Sequence, residues 1–469
     1  VNFFDKNRNY EDHPLFITSH GHRLSYGDWY RHSDALHSLI APRSLAAILC
    51  SNTIGSAVSY LCCLQNHIVP ILIDNQLDED LKQRLLHLYK PNYIIAPSGK
   101  NNAHPVVYDI EDYGVYPYSN QHHELYSELA LLLTTSGSTG SPKLVRQSYA
   151  NLQANAASIA QYLQLTATHR PVSSLPMHYT FGLSVINSHV LCGAAEYLTD
   201  DTVFDPSFWD FCKHEHITSI AGVPFTYECL KRLRFTTMDL PDLTLMLQAG
   251  GKLSKPLQKE YGEYAQKTGK KFIVMYGQTE ATARMSYLPA ADCLRKIDSI
   301  GIAIPGGTFH IIETDGSEIH TANTIGELCY EGPNVTLGYA THPDDLSLGD
   351  TRHGRLMTGD MAYYDEDGFY YITGRKKRFI KVMGKRLNMD EIEQLLKNND
   401  STYDFACVGL DDAVWIFTTA PCTKFAAIED FLTKKISLHP SCLTLRSIDS
   451  IPKNTSGKTQ YPALQSLVN

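Results

Sequence analysis

No CxxC pair occurs in the chain and no histidine cluster has zinc-ligand spacing, so neither a disulfide framework nor a structural metal is indicated. The eleven cysteines are scattered, from Cys50 through the adjacent Cys62 and Cys63 to Cys442. That usage fits a reducing compartment, where Cys serves as a small core residue. Long apolar runs are missing too. The most apolar region, 45–64, is broken by Ser51, Asn52, Thr53 and Ser59, far short of the roughly 20 uninterrupted residues that cross a bilayer. Val1-Asn2-Phe3-Phe4-Asp5-Lys6 lacks the basic-then-apolar order of a signal peptide. Nor is there an excess of positive charge: 41 Lys and Arg stand against 50 Asp and Glu, a formal charge of −9. Phosphate-backbone binding relies on concentrated positive charge, so nucleic acid is not the expected main partner. These absences together predict a soluble, cytoplasmic protein without a membrane or nucleic-acid partner.

What is present is ordinary globular composition. Hydrophobic residues are 43% and charged residues 19% of 469, which excludes a disordered or collagenous chain and allows two or three domains. Compact apolar runs at 46–49, 70–73, 93–96 and 129–133 read as buried parallel strands. Between and after them, 78–89 and 149–163 carry apolar residues at helical spacing. Further strand-like runs follow at 217–220, 243–247 and 271–275. The alternation predicts an α/β architecture with parallel sheets. From about Ile300 the texture changes to short strands and turns (309–312, 327–330), the pattern of a small antiparallel hairpin or distorted barrel. A second shift, at Gly374-Arg375, opens a tail with helices at 389–397 and 426–435 and strands near 405–410 and 414–418, which reads as a small α+β domain.

Five segments could carry chemistry. Thr134-Thr135-Ser136-Gly137-Ser138-Thr139-Gly140-Ser141-Pro142-Lys143 follows a strand and is expected to lead into a helix. Such a loop can wrap phosphate oxygens with N–H groups and hydroxyls while Lys143 adds charge. It is not a Walker A loop, because Ser141-Pro142 separates Gly140 from the Lys; taken alone, a Ser/Gly-rich stretch is more often a plain loop. Met275-Tyr276-Gly277-Gln278-Thr279-Glu280 ends a strand. There a Glu can hold Mg²⁺ and a Tyr can face a base, although a solvated junction is the commoner meaning. Thr358-Gly359-Asp360 reads as a turn whose Asp can take ribose hydroxyls. Seven of the twelve residues from Arg375 to Arg386 are basic, a solvated face or a dock for one anionic ligand or an acidic protein. Lys453-Asn454-Thr455-Ser456-Gly457-Lys458 places a Lys on a Gly-containing loop near the C-terminus, where Lys is usually just solvated.

Singly these signals are modest, but their order and spacing resemble the adenylate-forming (AMP-binding) superfamily of acyl-CoA synthetases, luciferases and peptide-synthetase adenylation domains. The resemblance runs from about Leu129 to Lys458, and the earlier α/β region fits the start of the same large domain. It implies a large N-terminal part of α/β subdomains and a small distorted barrel (1–373), a hinge (374–377), and a small mobile α+β domain (378–469). It also implies ATP and Mg²⁺, with a carboxylate attacking the α-phosphate and a phosphopantetheine thiol then taking the acyl group. By resemblance, Thr135, Ser136, Gly137, Ser138, Thr139, Gly140 and Lys143 hold the β- and γ-phosphates. Thr279 touches the α-phosphate, Glu280 holds Mg²⁺, and Tyr276 and Gly277 with Gly250 and Gly251 flank adenine. Asp360 binds ribose with Arg375 close by. Lys458 bridges the carboxylate and α-phosphate, Lys377 is the hinge position, and Gly384 lines the thiol tunnel. Tyr179, or its neighbour His178, stands at the aromatic gate, and Gly182, Ile186, Ala283 and Arg284 join it around the acyl pocket.

Several positions depart from the family pattern. Leu144 follows the Pro-Lys pair where many members have Gly. Gly182 stands where enzymes for α-amino acids carry an Asp for the ammonium. An unpaired buried ammonium is costly, so the expected substrate is a small carboxylic acid other than an α-amino acid. Arg284 is either structural or meets a polar or acidic substrate end. The acceptor reads as a separate acyl carrier protein docking on the basic run, with free CoA as the alternative. Two rival readings are a Ser/Lys amidase, which has no G-x-S-x-G elbow to support it, and a non-catalytic nucleotide sensor, which need not keep Glu280 or Lys458.

Overall fold

The computed structural model describes residues 2–99, 105–134, 143–173, 175–382, 385–410, 413–436, 439–453 and 458–468. They form two compact units, Val1–Thr308 with Tyr330–Leu356, and Phe309–Cys329 with Met357–Asn469.

The first unit is built on two mixed sheets. In the eight-stranded sheet, Leu129–Thr134, Val69–Asp74, Leu45–Cys50 and Tyr93–Pro97 lie side by side and parallel, with Leu45 opposite Val69, Ala46 opposite Tyr93 and Ile71 opposite Leu132. Their continuous apolar sequences are what burial on both faces demands. The nine-stranded sheet has a parallel centre running from Lys271–Tyr276 through Leu245–Gln248, Ser219–Gly222, Pro171–Ser173 and Glu196–Leu198 to Pro14–Thr18. Helices Ile54–Gln65 and Thr180–Leu191 are buried on nearly every side, as helices apolar all round must be. Their residues share one core with strands of both sheets, including Ile48, Leu72, Leu133, Phe16 and Leu198. The expected α/β architecture is the one that forms.

The chain after the Gly/Ser-rich segment differs from expectation. Leu129–Thr134 does not lead through it into a helix. An antiparallel strand, Leu144–Ser148, comes first, paired with Thr134 opposite Leu144, and only then does helix Tyr149–Leu163 begin. The helix starts at a capping box in which Ser148 and Asn151 satisfy each other's backbone N–H groups. The intervening strand, LVRQS, is wholly buried although three of its five residues are polar. Arg146 can be buried there because its donors reach the carbonyls of Leu337 (3.0 Å), Tyr339 (3.1 Å), Gly349 (3.2 Å) and Leu348.

In the second unit a four-stranded sheet has the order Thr308–Ile312, Gly326–Glu331, Arg355–Tyr364, Tyr370–Arg375. Thr358-Gly359-Asp360, expected as a turn, lies inside the ten-residue strand Arg355–Tyr364, where Gly359 adopts φ +72°. Asp360 is paired opposite Arg375. Beyond it come the hairpin Phe379–Val382 and Lys385–Asn388, and a three-stranded sheet of Phe405–Leu410, Ala413–Thr418 and Leu443–Ser447. Helices Met389–Asn399 and Phe425–Ile436 close this α+β core around Ile392, Leu396, Cys407, Ile416 and Leu432.

Glu196 is fully buried, and neither carboxylate oxygen has a hydrogen-bond partner among the described residues. Burial pushes its pKa well above the ordinary value, so the folded state keeps a proton that the unfolded chain releases near about pH 4.3. Its contribution is therefore intact below that pH and declines above it by about 1.4 kcal/mol per pH unit up to the folded pKa. Glu196→Gln should be more stable than the parent at about pH 8 and lose that advantage by about pH 4. Urea midpoints across this range check it; a pH-independent gap refutes it.

Candidate functional site

In the first unit Tyr276, Gly277, Thr279 and Glu280 lie at the end of Lys271–Tyr276 or directly beyond it. That strand is buried from Phe272 to Met275 and hands over through Gly277 and Gln278 to a single 3-10 turn, Thr279–Ala281. Glycine is obligatory at 277, since a Cβ there would lie 1.8 Å from the carbonyl oxygen of Ala283. Thr282 follows at φ +66°, a region that β-branched residues avoid. Its conformation is clamped on both sides: its hydroxyl donates to the Asn334 carbonyl (2.7 Å), and its own carbonyl accepts from the Thr180 hydroxyl. The Asn334 amide donates to the carbonyls of Ala281 (2.9 Å) and Arg284 (3.0 Å), and Asn155 adds a second donor to Arg284 (3.0 Å).

Glu280 is the centre of a charged group. Its Oε1 accepts from the Tyr339 hydroxyl at 2.6 Å, and its main-chain oxygen accepts from the Thr336 hydroxyl and from Arg352 Nη1, both at 2.9 Å. Lys143 Nζ lies 3.2 Å from the Tyr339 ring centroid, with the Arg352 guanidinium carbon at 4.6 Å. Burial and the adjacent Glu280 carboxylate push the Tyr339 phenol up to about 12, so it remains a donor at neutral pH. Two cations and one carboxylate around a single ring can receive phosphate oxygens beside a divalent ion. Glu280 Oε2 has no hydrogen-bond partner among the described residues, which suits a metal held by one carboxylate and substrate phosphates. Sequence reasoning picked out Lys143 and Glu280 but missed Tyr339 and Arg352, which belong to no local motif.

Other expected residues also meet. The Tyr179 hydroxyl lies 3.1 Å from where a Cβ on Gly250 would stand, and Gly250 adopts φ +83°, so the Gly250-Gly251 turn and Tyr179 are adjacent. Tyr276 accepts from Gln278 Nε2 at 3.1 Å. His178 approaches Asp74 at 3.6 Å, and burial lowers its pKa. Ile186, Ala283 and Arg284 are buried. Gly182 has a backbone reason to be glycine: a Cβ there would stand 2.5 Å from the Pro176 carbonyl oxygen.

In the second unit Asp360 is buried and paired with Arg375 at 2.7 Å. Lys377 sits on the one-turn helix Lys376–Arg378. Lys458 is exposed, and beside it Lys453 and Thr459 form a bridge while Gln460 N donates to the Pro452 carbonyl (2.8 Å). The basic run is less open than its sequence suggests. Lys376 pairs with Glu327 (2.5 Å), and Arg378 turns inward to Asp390 (2.7 Å) and Glu393 (2.5 Å) and stacks 3.7 Å over Tyr461. Thr135, Ser136, Gly137, Ser138, Thr139, Gly140 and Gly384 lie outside the described residues.

Comparison with known proteins identifies the family. The chain is 26% identical over 361 residues to luciferin 4-monooxygenase of Luciola mingrelica, a match spanning 72% of this chain and 64% of that enzyme, less than two thirds of its length. It is 27% identical over 365 residues to 2-succinylbenzoate–CoA ligase of Geobacillus sp. (strain WCH70), covering 74% and 71%. Its fold matches o-succinylbenzoate CoA synthetase of Bacillus subtilis, solved with an acyl-adenylate intermediate, at a TM-score of 0.78 and 22% identity over 96% of this chain and 95% of that one. The profile of the AMP-binding enzymes matches residues 3–340, and the chain belongs to that family.

Proposed function

We propose that this protein activates a small carboxylic acid with ATP and passes the acyl group to a thiol. The observation that carries the reading is the cluster of Lys143, Arg352, Tyr339 and Glu280 at the end of the Lys271–Tyr276 strand, where positive charge and one carboxylate stand together. Relatives named as CoA ligases support the same chemistry. A carboxylate oxygen attacks the α-phosphorus and pyrophosphate leaves; the thiol sulfur then attacks the acyl carbon and AMP leaves. In-line displacement of this kind needs positioning and charge neutralisation more than an acid or base. Lys143, with Thr135, Ser136, Gly137, Ser138, Thr139 and Gly140, holds the β- and γ-phosphates, and Thr279 contacts the α-phosphate. Tyr276, Gly277, Gly250 and Gly251 flank adenine. Glu280 holds Mg²⁺, which when bound neutralises phosphate charge.

In the second unit Asp360 takes the ribose hydroxyls, with Arg375 as its partner. Lys458 bridges the acid and the α-phosphate, Lys377 serves as the pivot, and Gly384 lines the thiol passage. Tyr179, Gly182, Ile186, Ala283 and Arg284 surround the acid. No carboxylate stands at Gly182, which supports an acid other than an α-amino acid. The acceptor is the phosphopantetheine arm of a separate carrier protein, with free CoA as the alternative.

Pyrophosphate release from ATP and Mg²⁺ across short, hydroxy, aromatic and fatty acids tests the reading. Release with a subset of acids, reduced roughly 10²–10³-fold in Lys458→Ala, is the expected result. ATP binding without release from any acid would overturn it. For the acceptor, charge reversal of Lys376 and Lys385 should lower carrier loading several-fold while leaving adenylate formation within about two-fold. Equal loss in both half-reactions, or loading of CoA alone, counts against the carrier protein.

A further inference from the structure

Two arginines of the first unit are almost completely buried, and their surroundings differ. Arg146 donates to four main-chain carbonyls. Arg284, 2% exposed, has partners only at Nη1, the Tyr162 hydroxyl and the Met275 sulfur, both at 3.1 Å. Among the described residues its Nε and Nη2 have no acceptor, and its recorded partners include no carboxylate. The Phe181 ring lies 5.0 Å from the guanidinium carbon, a weaker compensation than a counter-ion. A buried cation left in this state is costly unless something anionic joins it.

The two unpaired donors stand in a defined relation to each other. Nε and Nη2 form one edge of the guanidinium, the planar fork that takes both oxygens of a carboxylate. The residue's position is also fixed. Its carbonyl is held by Asn155 and Asn334, and it follows directly on the strained Thr282-Ala283 turn from Glu280. Tyr162, its hydroxyl partner, is locked by stacking on Tyr287 at 4.3 Å and 14°. His189, also buried, has Nδ1 on the Val185 carbonyl, and its Nε2 has no partner among the described residues. Among the described residues no side chain pairs a negative charge with this guanidinium.

We propose that Arg284 determines acid specificity by receiving a second, distal carboxylate on Nε and Nη2, so that the substrate is a small dicarboxylic acid. This rests on the acid-activation reading above and names its substrate class.

The test pairs acids that differ only at the far end: succinate with butyrate, glutarate with valerate, adipate with hexanoate, and 3-hydroxybutyrate as a neutral oxygen donor-acceptor. AMP formation and ligand-induced thermal shift are measured for the parent, Arg284→Met and Arg284→Lys. The parent should favour one dicarboxylate over its matched monocarboxylate by roughly 10–150-fold in kcat/KM, the worth of a hydrogen bond to a charged buried group. Arg284→Met, which fills the site with an apolar side chain of similar length, should abolish or invert that ratio with the KM for ATP unchanged, and Arg284→Lys should keep part of it. A parent preferring monocarboxylates or 3-hydroxybutyrate overturns the proposal, as does a loss in Arg284→Met that is equal for every acid. A thermal shift with a dicarboxylate that vanishes in Arg284→Met, without AMP from any acid, would sink acid activation and leave the arginine assignment standing. Turnover of acids indifferent to Arg284 would do the reverse.

Discussion

The contact on which the candidate site depends is the approach of the Gly277 α-carbon to the Ala283 carbonyl. It folds the segment between them into a loop so tight that no side chain fits at 277. The tightness forces Thr282 to a positive φ, and hydrogen bonds from Asn334, Asn155 and Thr180 hold it there. Strain of this order, about 1–3 kcal/mol, persists only where its surroundings over-determine it. Glu280 is aimed by the loop and by Thr336 and Arg352, which grip its carbonyl rather than its carboxylate. The carboxylate is thus positioned through the main chain and keeps an oxygen in reserve.

Charge is handled locally throughout. The chain is acidic overall, yet Lys143 and Arg352 concentrate positive charge around one tyrosine ring. The run from Arg375 onward does the opposite, since Arg375, Lys376 and Arg378 are each tied to an acidic neighbour within the second unit. Runs of like charge in a sequence therefore overstate the field they produce once the chain has folded. Arg378 in particular acts as packing: it is sandwiched between two carboxylates and the Tyr461 ring.

How much was legible in the sequence follows from this physics. Strands such as Leu45–Cys50 and Val69–Asp74 announce themselves because burial on both faces demands unbroken apolar residues. Leu144–Ser148 is buried just as deeply but reads as polar, because carbonyls distant in sequence satisfy Arg146. A local pattern cannot register partners about two hundred residues away. Asp360 stands out by residue type, but its setting does not show in the sequence: the glycine before it marks a kink within a strand rather than a turn. Tyr339 and Arg352 were invisible for the same reason as the partners of Arg146, since they reach Glu280 across 59 and 72 residues.

Gly182 shows how a helix position can be closed to change by the main chain packed against it. The Pro176 carbonyl occupies the space that any Cβ at 182 would need. Every side chain, charged or apolar, is excluded there as long as the 175–176 backbone keeps its course. This stretch of surface is drawn by main chain, one that drift in sequence cannot readily repaint. Variation here must come instead from neighbours that carry side chains, such as Ile186 and Ala283.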